Sequence, residues 1–371
     1  MSKLKIAAIG SALAAALMVS QGASAQQITY NLWSPPNGLE YKIGLVPYFK
    51  RVTEKTGGKF TAQIFTAGQM LGPLETMGGI KDGAVSGGFV FEQFYAKDIP
   101  NTYMFNETNG FNDNIVAAAG AATEMYFNDC PECLDEAKKA GIVMLGGHST
   151  APYILMCRNE LTSVDDLVGK RIRGTTAFHN AVINAFGGVG VNFSFAEITQ
   201  AMERGAVDCA VGTESWLTAF GIAEIIKSTI PTPNFGSLPT LGFITFNRGV
   251  WDGFDPAVRQ ALIEEMPGYV ADITMGFIEE RDDAVAAGKK AGMKEVDLGA
   301  PFQAKYDAWK TAERTRVIEA AKARGYDNAE AFLDKYLAKY EEWKKIADEI
   351  GTDKEKFRQT LWDRVYSKVK L

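Results

Sequence analysis

The chain has 371 residues, of which 46% are hydrophobic and 23% are charged. These values are typical of a folded globular protein rather than a disordered or multi-span membrane one. Its 39 Lys and Arg stand against 45 Asp and Glu, and this net charge of −6 argues against general nucleic-acid binding. Only two histidines, His148 and His179, and four cysteines are present, so His- or Cys-rich metal sites have few possible ligands. The length predicts two domains.

The N-terminus has the pattern of a secretory signal peptide. Lys3 and Lys5 precede an apolar or small run over residues 6–19, and residues 23–25 (ASA) provide an A-x-A cleavage site. Cleavage after Ala25 leaves 346 residues with a net charge of −8. The alternative is an uncleaved membrane anchor, which normally needs a longer apolar stretch of about 20 residues. We therefore expect an exported protein.

Export makes the four cysteines candidates for disulfides. They are Cys130, Cys133, Cys157 and Cys209, and four cysteines allow three pairings. The CxxC spacing of the first two also occurs in redox sites, but such sites need a preceding strand and a helix N-terminus. We expect a local Cys130–Cys133 bridge. Cys157 and Cys209 are either paired with each other or buried as free thiols.

The mature chain has two successive series of alternating strands and helices that join near residue 150. The first series predicts strands at 28–33, 59–65 and 87–91 and helices at 40–56 and 74–82. The second predicts strands at 152–156, 169–174 and 206–211 and helices at 163–167, 179–186 and 195–204. Later segments predict a strand at 241–247 that could return to the first sheet, a long helix from 255 to about 288, and helices over 305–371. This alternation indicates an α/β fold with ligands beyond the carboxyl ends of the strands.

Motifs of the common enzyme classes are missing from the sequence. It contains no GxSxG, HExxH or GxxxxGK[ST] pattern. A Ser-His-Asp triad would depend on His148 or His179, so an exported hydrolase remains an alternative. We expect a protein that is not an enzyme and that needs no cofactor and no metal.

Residues 169–174 (GKRIRG) predict a short strand that carries two arginines. Alternation along a strand places Arg171 and Arg173 on one face and Ile172 on the other. Arg173, at the carboxyl end of the strand, would project into the crevice between the domains, where a guanidinium can hold a carboxylate by charge-assisted hydrogen bonds. The alternative interpretation is a basic surface turn.

A longer pattern contains this strand. Residues 165–173 (DDLVGKRIR), Glu197 and residues 201–208 (AMERGAVD) closely resemble the DLxGxxxR…E…A[LM]xxGxxD core of DctP-type solute-binding proteins of tripartite ATP-independent periplasmic (TRAP) transporters. Further segments that look like family landmarks are 56–59 (TGGK), 68–72 (GQMLG), 81–83 (KDG) and 247–251 (NRGVW). The resemblance covers essentially the whole mature chain.

The resemblance implies a two-domain α/β periplasmic binding protein fold, similar to type II, with mixed sheets flanked by helices, a long interdomain helix and a helical C-terminal region. We expect domain I to comprise residues 26–150 and about 240–278. Domain II would comprise 151–239 and about 279–371, including the C-terminal helices.

The resemblance also implies that Arg173 forms the salt bridge to a substrate carboxylate. Tyr153 stands where sialic-acid-binding members carry another pocket arginine, so we expect one anchored carboxylate rather than a double clamp. Members that bind 2-oxo acids hold sodium with a Glu-Trp pair shortly after the motif aspartate. Here residues 211–212 (VG) stand in that place, so no sodium site is expected.

Loops at strand ends are expected to supply the remaining pocket walls. The candidate ligand-binding residues in these loops are Trp33, Asn37, Glu92, Phe193, Thr213 and Trp216. Their aromatic content favours a ligand with an apolar or aromatic body, although each ring could equally belong to the core.

These features together predict a periplasmic protein that captures a small organic acid anion and delivers it to the small and large TRAP membrane subunits. We expect a monomer without a nucleic-acid partner. A binding protein that feeds a sensor is the alternative.

Overall fold

The structure is a computed structural model that describes residues 26–174, 176–193 and 197–371. The predicted signal peptide lies outside the described residues.

Thirteen strands form within the described ranges. They are Gln26–Asn31 (β1), Phe60–Phe65 (β2), Gly87–Gly88 (β3), Ile142–Met144 (β4), His148–Ser149 (β5), Ile154–Cys157 (β6), Arg171–Arg173 (β7), Val189–Val191 (β8), Cys209–Gly212 (β9), Ser228–Ile230 (β10), Pro239–Thr240 (β11), Thr245–Asn247 (β12) and Lys294–Glu295 (β13).

Thirteen α-helices form within the same ranges. They are Val46–Lys55 (α1), Thr76–Lys81 (α2), Pro100–Glu107 (α3), Ile115–Glu124 (α4), Pro131–Lys139 (α5), Ala177–Ala185 (α6), Ile198–Glu203 (α7), Trp216–Ala219 (α8), Arg248–Asp252 (α9), Pro256–Lys290 (α10), Gly299–Ala323 (α11), Ala329–Ile350 (α12) and Lys354–Arg364 (α13). Short π-helical turns span Glu40–Leu45 and Met125–Asp129, and 3₁₀ turns include Glu92–Phe94 and Val164–Leu167.

Two mixed sheets organise these elements. The first has the order β2-β1-β3-β12-β4, with β1 parallel to β2 and β3 and with β12 antiparallel to both of its neighbours. The second has the order β13-β10-β6-β9-β7-β8, with β7 parallel to β8 and β9. The strand predicted at 241–247 does return to the first sheet, as β12. Because the returning strands run antiparallel, the sheets are mixed, as the family resemblance implied.

The strand predicted at 87–91 is much shorter in the structure. Only Gly87 and Gly88 pair, between β1 and β12. A Cβ atom added to Gly87 would lie 2.5 Å from the Thr245 carbonyl oxygen, so glycine is what allows the three strands to approach this closely.

Each sheet belongs to its own hydrophobic core. Buried apolar side chains from residues 28–151, 241–277 and 317–366 form the first core, and those from 153–238 and 284–309 form the second. The chain therefore passes between the cores four times, near residues 152 and 240 and again within α10 and α11. At the first two crossings β5 and β11 pair antiparallel as a small two-stranded ribbon.

The long helix α10 also belongs to both cores. Asp255 directly precedes the helix and caps it, because its side chain accepts a hydrogen bond from the Ala257 amide at 3.0 Å. The helix contributes Phe277 to the first core and Ala284 to the second, so it connects the two lobes. This agrees with the predicted helix over 255–288.

The C-terminal helices differ from the expected domain assignment. Residues 279–371 were expected in the second domain, but α12 and α13 bury their apolar faces in the first core. Helix α12 packs along α4, where Trp343 lies so close to Gly120 that an added Cβ would be 2.2 Å from its ring. Helix α4 consists of apolar or small residues up to Ala122 and is buried along its whole length, so it needs this cover.

Both cysteine pairs are disulfides. Cys130 bonds to Cys133, as expected, and Cys157 bonds to Cys209. The second bridge links β6 to β9, where the two cysteines are directly opposite each other. Cys157 and Cys209 are therefore paired with each other rather than buried as free thiols.

Candidate functional site

A cavity of about 130 Å³ lies between the two cores. Side chains from both lobes line it, together with the ribbon at which the chain crosses between them. Its lining is mostly aromatic and aliphatic, with a few polar groups, which is the usual composition of a small-molecule site.

Trp216 and Tyr153 form the wall that the second core provides. Trp216, the first residue of α8, lies over Gly212 at the end of β9, where an added Cβ would be 2.4 Å from the indole ring. Tyr153 is 7% exposed, and burial raises the pKa of its phenol to about 12, while the charge of Arg173 lowers it. The Tyr153 hydroxyl is therefore neutral at pH 7.

Arg173 lies beside this wall, at the carboxyl end of β7. It is 1% exposed, its Nε donates to the Phe193 carbonyl oxygen at 3.1 Å, and its guanidinium carbon is 5.1 Å from the centre of the Trp216 ring. Burial lowers the pKa of Arg173 to about 10, and the nearby Tyr153 acts in the opposite direction. The side chain thus remains a cation at neutral pH, although the charge is largely removed from water.

The rest of the arginine motif forms the scaffold of this strand. Asp208 accepts hydrogen bonds at 3.0 Å from the backbone amide, Nε and Nη2 of Arg171. Gly169 and Gly205 have φ angles of +72° and +71°, in the left-handed region that favours glycine. Arg171 is therefore the exposed, structurally paired arginine of the strand, and Arg173 is the buried one.

Aromatic rings form the wall that the first core provides. The Trp33 ring stacks on Phe89 with ring centres 4.8 Å apart, and its Nε1 donates to the Phe89 carbonyl oxygen at 3.0 Å. Phe243 and Phe277 complete this side. The cavity thus offers a broad apolar surface to a ligand.

His148 lies on the crossing ribbon and also lines the cavity. Its Nδ1 is 3.0 Å from the Tyr269 hydroxyl oxygen, and burial lowers the pKa of the imidazole to about 3. Burial, together with the charge of Arg173, also lowers the pKa of His179 to about 3. Both histidines are therefore neutral at pH 7.

Two glutamates line the cavity as well. Glu40 begins the π-helical turn that follows β1, and Glu280 lies on α10 one turn after Phe277. Burial raises the pKa of both carboxyl groups, and the charge of Glu40 raises that of Glu280 further.

One hydrogen bond connects the lobes near the cavity, and one ion pair connects α10 to the second lobe. Asn37, in the loop after β1, donates from Nδ2 to the Ala219 carbonyl oxygen at 2.8 Å. Arg281 on α10 pairs with the buried Glu214 at 3.4 Å, in the loop that carries Thr213 to the cavity.

Glu92 serves a different part of the molecule. It is fully buried in the first lobe, and its Oε1 accepts hydrogen bonds from the Leu241 and Gly242 amides at 2.5 and 2.6 Å. Burial raises the pKa of Glu92 to about 7, although these hydrogen bonds lower it. The carboxyl group connects the turn after β3 to the segment before β12 and is not among the cavity-lining residues.

The structure thus brings five of the eight expected ligand-binding residues to the cavity lining: Trp33, Asn37, Tyr153, Thr213 and Trp216. Arg173 lies next to this lining, and Phe193 contributes the carbonyl that orients it. Glu92 lies apart from them.

Sequence reasoning did not include nine polar or aromatic members of the lining: Glu40, Phe89, His148, Thr150, Phe220, Thr240, Phe243, Phe277 and Glu280. Phe277 and Glu280 are three residues apart on a helix and so share a face, but the sequence does not show which face meets the cavity. His148 was considered only for catalysis.

No three His, Cys, Asp or Glu side chains of the described residues come together in a way that could hold a metal ion. No helix in residues 26–174, 176–193 and 197–371 combines the length and apolar character needed to cross a bilayer.

Known proteins resemble this chain in sequence and in fold. The C4-dicarboxylate-binding periplasmic protein DctP of Rhodobacter capsulatus is 25% identical over 261 residues, 67% of this chain and 73% of that protein. A TRAP solute-binding protein from a marine metagenome, specific for aromatic acid ligands and crystallised with 3-hydroxybenzoate, superimposes with a TM-score of 0.76 at 16% identity. That match covers 86% of this chain and 99% of the other.

A second solved structure and a family model give the same result. DctP6, an extracytoplasmic solute receptor of Bordetella pertussis that binds pyroglutamic acid, matches with a TM-score of 0.72 and 17% identity over 84% of this chain and 99% of its own. The model of bacterial extracellular solute-binding protein family 7 matches residues 36–321. The chain therefore belongs to this family, the DctP family of TRAP solute-binding proteins, as the sequence resemblance predicted.

Proposed function

We propose that this protein captures an organic acid anion in the cavity between its lobes and delivers it to the small and large membrane subunits of a TRAP transporter. The observation that carries the proposal is the position of Arg173, a buried cation beside the wall of a cavity lined mainly by aromatic and aliphatic side chains. Family membership supports the transport role.

The electrostatics of Arg173 support a carboxylate ligand. Removing a guanidinium from water is costly, and the lowered pKa of Arg173 reflects that cost. A carboxylate that enters the cavity would offset it through charge-assisted, bidentate hydrogen bonds. The neutral hydroxyl of Tyr153 can add a further hydrogen bond to the same group.

The aromatic walls support a ligand with an apolar or aromatic body. Trp33, Phe89 and Phe243 present ring surfaces on one side, and Trp216 presents its ring on the other. Related proteins of the same fold bind 3-hydroxybenzoate and pyroglutamic acid, which are compact cyclic acids. A ligand of that size would contact both lobes at once.

Contact with both lobes would make the ligand stabilise the closed arrangement. A ligand favours whichever state it binds more tightly, and the closed state brings the two walls together around it. The closed form would then present a composite surface to the membrane subunits.

The periplasm is the proposed location. Residues 1–25 carry the signal-peptide pattern, and the two disulfides agree with an oxidising compartment. We further propose that the protein acts as a monomer and catalyses no reaction, because the family consists of solute-binding proteins.

A thermal-shift screen of carboxylic acids, followed by calorimetry on the compounds that stabilise the protein, tests the proposal. We expect Arg173→Ala to weaken binding by roughly 3–5 kcal/mol, about 100- to 5000-fold in Kd. Arg171→Ala is the matched control, because Arg171 lies on the same strand but is exposed and pairs with Asp208. Unchanged affinity of Arg173→Ala would refute the assigned role of Arg173.

A further inference from the structure

Two carboxylates in an anion-binding cavity need an explanation. Glu40 and Glu280 both line the cavity, one from the turn after β1 and one from α10. A ligand that carries only negative charge would be repelled by both, and repulsion is strong where aromatic walls exclude water. Binding of a simple carboxylate therefore leaves these two residues without a role.

Neither glutamate has a neutralising partner among the residues that the structure describes. The ion pairs of these residues include neither Glu40 nor Glu280, and Oε2 of Glu280 is buried without a hydrogen bond. Lys42, whose charge lowers the pKa of Glu280, is exposed on the protein surface, and Asp283 acts in the opposite direction. Arg281 is already paired with Glu214.

His148 provides a second, independent observation that points to a polar group of the ligand. It is 4% exposed and lines the same cavity, and its Nδ1 is occupied by Tyr269. Its Nε2 forms no hydrogen bond with any residue of the described ranges, and the neutral ring cannot balance the glutamates. Nε2 is not one of the fully buried atoms without a partner, so it is open to the cavity, where it can bond to a polar group of a ligand.

The surroundings of these groups indicate a cation. The His148 ring centre lies 5.1 Å from that of Phe243 and 5.9 Å from that of Phe277. Aromatic faces attract ammonium groups, and carboxylates form charge-assisted hydrogen bonds with them. A protonated amine would also stabilise the ionised form of both glutamates, whose pKa values are otherwise raised by burial.

We propose that Glu40 and Glu280 form an acidic subsite for a positively charged group, and that the ligand is a zwitterion whose carboxylate faces Arg173 and whose protonated amine faces this acidic subsite. The inference depends on the proposed function for the carboxylate end. It narrows the ligand class from organic acid anions to compact amino acids and related ammonium carboxylates.

Two matched pairs of compounds test the inference by titration calorimetry. The pairs are 3-(aminomethyl)benzoate with 3-(hydroxymethyl)benzoate, and L-proline with L-pyroglutamate. In each pair the two compounds are similar in size, and only the first carries a positive charge. We expect the tightest binder to be an ammonium member, preferred over the matched anion that lacks a positive charge by about tenfold or more.

Glutamine variants show whether the acidic subsite causes this preference. Glu40→Gln and Glu280→Gln keep the shape of the side chains, and we expect each to reduce the preference several-fold. Glu279→Gln is the control, since Glu279 is the exposed neighbour of Glu280 on the same helix and does not line the cavity. It should leave the preference unchanged.

The pH dependence gives a further readout. Protonation of Glu40 and Glu280 removes the attraction for a cation, so binding of the ammonium compounds should weaken as the pH falls below neutral. Binding of a simple anion should strengthen over the same range.

The inference is wrong if the tightest binder lacks a positive charge, if no ammonium compound binds, or if both glutamine variants keep the preference. Arg173→Ala separates this result from the proposed function. If the carboxylates without an ammonium group bind most tightly and their binding depends on Arg173, the proposed function stands and the acidic subsite is overturned.

Discussion

Asn37 Nδ2 donates a hydrogen bond to the Ala219 carbonyl oxygen at 2.8 Å, and this contact joins the loop after β1 to helix α8 of the other lobe. Both residues also line the cavity. The contact therefore lies at the point where the lobes meet around a ligand, and it can form only when they are close together.

Replacing Asn37 by Ala should weaken ligand binding modestly. One exposed hydrogen bond contributes about 0.5–1.5 kcal/mol, so we expect Kd to rise roughly two- to tenfold. Calorimetry measures the change in Kd. By small-angle X-ray scattering, the ligand-free Asn37→Ala variant should have a larger radius of gyration than the ligand-free unsubstituted protein. Asn128→Ala is the control, because Asn128 makes a similar bond to the Arg364 carbonyl oxygen within the first lobe. An unchanged Kd would mean that the contact does not stabilise the closed form.

Substitutions of Trp216, which forms part of the cavity wall, should change the affinity for the ligand. Its ring lies 5.1 Å from the Arg173 guanidinium and 5.4 Å from the Phe220 ring. We expect Trp216→Phe to keep most of the affinity and Trp216→Leu to lose more, because a cation–π contact contributes about 0.5–2 kcal/mol. Calorimetry on both variants checks this order. Trp309→Phe, in the second core but not on the cavity lining, should leave affinity unchanged, and equal losses in all three variants would contradict the prediction.

The position of Arg173 could be predicted from one contiguous stretch of sequence. Residues 165–208 carry the family motif, and contacts within this stretch, such as the Arg171–Asp208 pair, fix the strand that ends at Arg173. Alternation of apolar residues predicted most strands and the long helix to within a few residues. Strands and helices depend on the residues that are near in the chain, so the sequence pattern predicts them.

The remainder depends on contacts between distant segments. Glu40, His148 and Glu280 meet at one cavity although more than 100 residues separate each from the next. Similarly, the apolar face of α12 predicts a helix with a partner, but nothing in its own sequence identifies α4 as that partner. Tertiary packing decides both cases, and one sequence by itself contains no record of it.

The two disulfides should differ in their contribution to stability. Cys157 and Cys209 close a loop of 52 residues, whereas Cys130 and Cys133 are only three apart. Loop-closure entropy predicts about 4 kcal/mol for the longer loop and less than half of that for the shorter one. Urea unfolding should therefore show a larger loss for the Cys157→Ala, Cys209→Ala double variant than for Cys130→Ala, Cys133→Ala. The reverse order would show that the entropic account fails here.

Glu92 predicts a pH dependence of folding stability. Its pKa is about 7 in the folded protein, against an ordinary value of 4.5, because the carboxyl group is fully buried. Between these two pH values the unfolded chain has lost the proton while the folded protein keeps it. Stability from this group is therefore present at low pH and is lost as the pH rises through 7, by about 3 kcal/mol in total.

Glu92→Gln isolates this effect, because its amide oxygen can still accept the hydrogen bonds from Leu241 and Gly242 and the side chain cannot ionise. Relative to the unsubstituted protein, the variant should gain stability as the pH rises from 4.5 to 8, and urea unfolding across that range measures the gain. Glu92→Ala should show the same relative slope but lower stability at every pH, since it leaves two buried amides without an acceptor. If the unfolding free energies of Glu92→Gln and of the unsubstituted protein changed in parallel with pH, Glu92 would release its proton at an ordinary pH. Its full burial against residues 241 and 242 argues against that outcome.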